Sequence, residues 1–157
     1  MKKNFFIYGI VLLISLFFYK VCYMKSNIIV VNVLSEECYK DAHIKGSINV
    51  CVFDEKGTFD AFLKQVDKNN TYVFYCAVPS CHASHDAVMK AVEAGFKNVY
   101  EYKGGIAEWY QKSLIDDRYK CEGPCLQEWL KNSLDQYVHE DCGDYKIITA
   151  EDLLKML

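Results

Sequence analysis

From residue 27 onward, short uninterrupted apolar runs alternate with stretches of helical period, the pattern of strands buried on both faces and joined by crossover helices. Residues 28–33, Ile-Ile-Val-Val-Asn-Val, are too few for a helix and predict a buried parallel strand. Residues 72–75 and 99–102 predict two more. Between the first two strands, Phe59, Phe62, Leu63 and Val66 fall at i, i+3, i+4 and i+7, so a helix there packs one face on the sheet, with Thr58 placed to cap it. A second helix is predicted over 82–94, with Val88, Ala91 and Val92 inward and Gly95 where the chain needs a left-handed residue to stop. The fold class is α/β.

The two ends read differently. Lys2 and Lys3 precede an apolar run over residues 5–24, interrupted only by Lys20, whose long stem can carry its charge to a membrane surface. Its length suits a membrane-crossing helix. No small-residue cleavage site follows, so an uncleaved anchor is expected over a cleaved signal, and Cys22 reads as apolar filler. Past Ile115 the strand pattern stops. Leu126, Trp129, Leu130, Leu134, Tyr137 and Val138 predict an amphipathic helix, and Thr149 is placed to cap a short final helix ending at Leu157. Three segments result: an N-terminal transmembrane anchor or signal segment at 1–25, an α/β domain at 27–113, and a cysteine-containing helical extension at 114–157. The expected location is a membrane, single-pass, with the soluble domain extracytoplasmic.

Composition narrows the chemistry. The 157 residues are 52% hydrophobic with only 2 Pro, enough apolar surface for a folded core. The 18 basic and 21 acidic residues are interspersed, giving a net charge of -3 with no basic stripe, so nucleic acid is not expected as a partner. Arg118 is the single arginine, which leaves the chain nearly without bidentate oxyanion binders. Eight cysteines point instead to thiol chemistry.

The segment Tyr75-Cys76-Ala77-Val78-Pro79-Ser80-Cys81-His82-Ala83-Ser84 carries a buried strand into a helix through a tight loop. Ligands of parallel sheets bind beyond the carboxyl ends of strands, and a loop entering a helix turns unpaired N–H groups toward an anion. Those groups and the helix dipole are expected to favour a Cys76 thiolate, or a persulfide anion there. Cys76 as a plain strand-end cysteine is the alternative on the loop alone.

Three motifs in order separate these readings. Asp41-Ala42-His43-Ile44-Lys45-Gly46-Ser47-Ile48-Asn49-Val50, the Cys76 loop, and Ala94-Gly95-Phe96-Lys97-Asn98-Val99-Tyr100 with Lys103-Gly104-Gly105-Ile106-Ala107-Glu108-Trp109 together resemble a rhodanese domain over about residues 28–110. The resemblance implies a rhodanese-like central parallel sheet flanked by helices. It implies a sulfurtransferase or persulfide carrier that moves sulfane sulfur from a small donor to a thiol or protein acceptor through a Cys76 persulfide, with no metal and no separate cofactor. A non-catalytic binding or thiol-redox module is the alternative.

Departures from the family pattern qualify this. Asn32 and Leu34 stand where the family usually has an aspartate and an arginine. The loop carries Cys81 and His82 in place of a cationic, glycine-containing cradle, so thiosulfate capture is expected to be weak, His82 and His85 helping only when protonated. The spacing resembles a subgroup with a second loop cysteine, which makes Cys81 the candidate resolving residue and His82 and Ser84 further loop candidates. A cysteine phosphatase would need an arginine where His82 stands. His43 and Trp109 read as structural, and Cys51 as strand filler. In the extension, Cys121, Cys125, His139 and Cys142 are four soft ligands, but their spacing is not a standard zinc finger, and a structural disulfide or free thiols is expected.

Overall fold

The computed structural model describes residues 27–137 and 143–157. In chain order these form β1 (Ile28–Asn32), α1 (Glu36–Asp41), β2 (His43–Ile44), β3 (Ile48–Asn49), α2 (Thr58–Gln65), β4 (Thr71–Tyr75), α3 (Ala83–Glu93), β5 (Asn98–Tyr102), α4 (Gly105–Ser113), β6 (Cys121–Glu122), a 3-10 turn (Glu128–Lys131), β7 (Lys146–Ile148) and α5 (Ala150–Met156). Five strands make one parallel sheet in the order β3-β1-β4-β5-β7, and β2 pairs antiparallel with β6 outside it.

The three predicted strands are present within a residue or two, and β4 explains why their pattern was continuous. All five of its residues are buried, because Tyr72 and Phe74 face a core shared with α2 and α3 while Val73 and Tyr75 face one shared with α4 and α5. A strand covered on both sides shows no polar alternation. Burying each such side chain contributes about 1.5–3 kcal/mol, so β4 is the chief apolar contributor among the strands. Gly95 has φ +87, as expected of the residue that ends α3.

Several expectations need correction. Thr58 is not the cap of α2: Gly57 takes that place at φ +68, and the Asp54 carboxylate accepts the Thr58 N–H at 2.9 Å. Of the amphipathic helix expected from Leu126 to Val138, the described residues up to 137 form only the 3-10 turn, with Leu126 exposed; Val138 lies outside the described residues. The Gln111 amide donates to the Leu130 and Asn132 carbonyls, which a continuing helix would need for itself. The extension is therefore not purely helical. Its Lys146–Ile148 joins the main sheet beside β5, a strand too short to leave a periodic signal. Thr149 does cap α5, in a reciprocal bond pattern with Asp152. Cys51 is not strand filler; it follows β3 in a loop, half-buried.

The expected transmembrane segment, with Cys22, lies outside the described residues. Among the described residues no helix is long and apolar enough to cross a membrane.

Candidate active site

Cys76 is the first residue past the carboxyl end of β4, the middle strand. Because side chains alternate along a strand, it points to the same side as Tyr72 and Phe74, into the core beneath α2 and α3, and it is fully buried. The Cys81 N–H donates to the Val78 carbonyl at 2.9 Å, closing a turn around Pro79 and Ser80; proline suits its second position because its φ is preset. The loop is clamped from the far side as well. Ile106 N–H donates to the Cys76 carbonyl at 2.9 Å and Ala107 N–H to the Ala77 carbonyl at 3.0 Å. This close approach explains the double glycine: Gly105 has φ +67, and a Cβ there would lie 2.6 Å from the Ala77 oxygen and 2.9 Å from that of Cys76.

Cys76 Sγ lies 3.5 Å from the Cys81 carbonyl, and the two loop thiols share their ionisation unequally. Cys81, half-buried, is pulled down to about 6, chiefly by the hydrogen bond from Cys76, and also by the Ala83 and Ala77 N–H groups and the nearby His82. Cys76 is pushed up by its hydrogen bond with Cys81, by burial and by the Cys81 charge, with Ser84 opposing. The direction is opposite to the expected Cys76 thiolate: the Ala83 and Ala77 N–H groups face Cys81, the more exposed sulfur, and the Ser84 N–H that does face Cys76 is outweighed by Cys81 and by burial.

Ser84 comes from the first turn of α3 and is fully buried, its Oγ 3.2 Å from Cys76 Sγ. Its hydroxyl donates to Glu101 Oε1 at 2.8 Å. Glu101 belongs to β5 in register with Phe74, so its side chain projects into the same layer as Cys76. It is 1% exposed. Sequence reading missed it, although an acid inside the apolar run over 99–102 was the available signal. His82 lies exposed at the start of α3 without a side-chain cap bond. His85 pairs with the Tyr145 hydroxyl at 3.0 Å.

Other candidates take structural places. His43 stacks on Tyr39 at 4.0 Å and bonds its carbonyl at 2.8 Å through Nδ1. Trp109 is buried and donates to the Lys120 carbonyl at 3.0 Å. Asn32 Oδ1 accepts the Leu34 N–H at 2.9 Å, so the altered first motif still orders the chain after β1. In the extension, Cys121 and Cys125 bring their sulfurs to 3.7 Å. Cys121 is pushed up to about 12 by burial, then by Cys125. Cys142 and His139 lie outside the described residues, and among the described residues no cluster of three or more metal-ligating side chains occurs.

Comparison with known proteins agrees with this architecture. The family model of the rhodanese-like domain matches residues 23–112. Among solved structures, the BH2092 protein from Bacillus halodurans is 30% identical with a TM-score of 0.50, covering 68% of this chain and 70% of that one. The Rhodanese_3 like domain of the Alr3790 protein from Anabaena sp is 25% identical with a TM-score of 0.50, covering 62% and 93%. No curated protein matches the chain.

Proposed function

Since the chain belongs to the rhodanese-like domain family, we propose that it is a sulfurtransferase that carries sulfane sulfur as a Cys76 persulfide, with Cys81 as the accessible second thiol. The observation that supports this reading most is the place of Cys76, the first residue past the carboxyl end of the central strand, in a tight turn that brings Cys81 into the same loop at the start of a helix. In the forward step, the Cys76 thiolate attacks the sulfane sulfur of a donor such as thiosulfate. The donor S–S bond breaks, sulfite leaves with its electron pair, and Cys76 holds the persulfide. An acceptor thiolate then takes the outer sulfur and Cys76 departs as thiolate. The apolar segment at 5–24 supports placing this chemistry at a membrane.

A thiol-redox reading is favoured by the electrostatic coupling of the two loop thiols and by the 3.5 Å approach of Cys76 Sγ to the Cys81 carbonyl. The Cys81 thiolate can attack the inner sulfur of the Cys76 persulfide, forming a Cys76–Cys81 disulfide and releasing hydrosulfide; a thiol reductant is then needed to reset the loop.

Turnover separates the two. With thiosulfate or an organic persulfide as donor and cyanide as acceptor, the first reading expects thiocyanate formation that Cys76→Ser abolishes and Cys81→Ser retains. Thiocyanate at the wild-type rate from Cys76→Ser would overturn it. Single-turnover hydrosulfide release lost in Cys81→Ser would favour the redox reading.

A further inference from the structure

The geometry points to a buried proton relay in which Ser84 passes the Cys76 thiol proton to Glu101, making Glu101 a positioning residue for the nucleophile. The inference rests on the reading of Cys76 as the sulfur carrier and supplies a second acceptor, besides Cys81, for the proton of a fully buried thiol.

Three atoms define the path: Cys76 Sγ, Ser84 Oγ at 3.2 Å from it, and Glu101 Oε1 at 2.8 Å from Ser84 Oγ. Ser84 has one hydroxyl proton and donates it to Glu101, so its oxygen lone pairs face Cys76 as acceptors. All three residues are buried. Glu101 Oε2 has no hydrogen-bond partner, and an unpartnered buried polar atom on a strand facing a nucleophile calls for an explanation. A carboxylate in that place adds nothing to packing that an apolar side chain would not supply better.

The step balances without any group from outside. The Cys76 S–H bond breaks, Ser84 Oγ takes that proton, and the original Ser84 proton goes to Glu101. The negative charge moves from the carboxylate to sulfur, and the net charge of the buried cluster stays the same. Deprotonation to bulk water would instead create a second buried anion. When sulfur leaves for an acceptor, the Cys76 thiolate recovers its proton along the same path.

Of the other titratable groups, Cys81 on the loop interacts with Cys76, and Tyr145 ahead of β7 and Tyr72 on β4 share its core. His85 is engaged with the Tyr145 hydroxyl, and Tyr72 on β4 turns its own hydroxyl to the Asp67 carbonyl at 2.9 Å. Cys81 is therefore the group whose titration must be removed from the test.

Full-length protein carrying Cys81→Ser is treated with methyl methanethiosulfonate across pH 6–8, and modification of Cys76 is followed by peptide mass mapping. With the relay, one proton is shared within the pair, and the Cys76 rate changes less than about threefold per pH unit. Adding Glu101→Gln or Ser84→Ala should give a rise of about tenfold per unit, with Ser84→Thr restoring the flat profile. A change in loop access alone would scale the rate equally at every pH and leave the slope. Tenfold slopes in the unsubstituted relay, or the same flat profile after either substitution, would overturn it; the Ser84 variants suffice if Glu101→Gln does not fold. No donor enters this experiment. Failure of persulfide formation on Cys76 would defeat the carrier reading while leaving the measured slopes to stand.

Discussion

Two pairs of cysteines close together in this chain, and their surroundings set them apart. Cys76 and Cys81 sit where a central strand feeds a helix, and Cys81 is pulled down to about 6 by the hydrogen bond from Cys76 and then by the Ala83 and Ala77 N–H groups. Cys121 and Cys125 are also in contact, at 3.7 Å, but Cys121 is pushed up to about 12 by burial, its neighbour's charge and Asp41. Asp41 instead organises that loop, accepting the Leu126 N–H at 2.9 Å and the Gln127 N–H at 3.2 Å. Proximity of two sulfurs does not make a reactive pair; donors aimed at one of them do.

The contrast breaks most forcefully at the glycines that hold each loop. Gly105→Ala adds a left-handed cost of about 1–2 kcal/mol and presses a methyl on the Cys76 and Ala77 carbonyls, an overpacking of roughly 1–3 kcal/mol. A lowered melting temperature and loss of sulfur transfer are expected together. Gly123, at φ +110 against the Asp41 carbonyl, is the counterpart, and Gly123→Ala should lower the melting temperature yet leave transfer intact. Equal loss of transfer in both variants would erase the distinction.

Ionisation gives a graded test. Alkylation of Cys81 in the folded protein should follow a midpoint near pH 6, the thiolate being present above it and lost below, while Cys121 stays largely unreactive at neutral pH. Cys76→Ala removes the main cause of the Cys81 shift and should raise its midpoint by about one unit. An unchanged midpoint would show that the loop N–H groups act alone.

A smaller effect concerns the donor. His82 is exposed at the start of α3, and the loop has no permanent cation beside the sulfurs, so His82→Arg should raise the turnover of thiosulfate several-fold through charge-assisted bonds. Steady-state rates with thiosulfate and with an uncharged persulfide check it; equal gains with both donors would discount charge as the cause. The smallest effect is expected from Cys121→Ser with Cys125→Ser, which should leave transfer rates within about twofold of the parent.

Much of this arrangement was legible in the chain because local pattern and burial agree. The runs at 28–33, 72–75 and 99–102 are apolar since both faces of the sheet are covered, and Gly95 marks the end of α3 by its backbone freedom alone. What escaped depends on long-range partners. The helix expected after Leu126 yields because Gln111, distant in sequence, takes its carbonyls. β7 is three residues, too short for a period. The division of charge between Cys76 and Cys81 follows from their mutual hydrogen bond and unequal burial, a matter of loop geometry rather than spacing. Glu101 gave a visible sign, an acid within a buried run, but its link to Cys76 exists only through Ser84 of another element.

The central claim is that sulfur is carried in the β4–α3 loop and nowhere else in the chain. Reduced full-length protein given one equivalent of an organic persulfide, then trapped with an alkylating agent and mapped by peptide fragmentation, tests this directly. The account predicts one added sulfur atom located on Cys76, with Cys121 and Cys125 recovered as unmodified thiols. Sulfur found on the Cys121–Cys125 pair, or spread evenly over all cysteines, would contradict it.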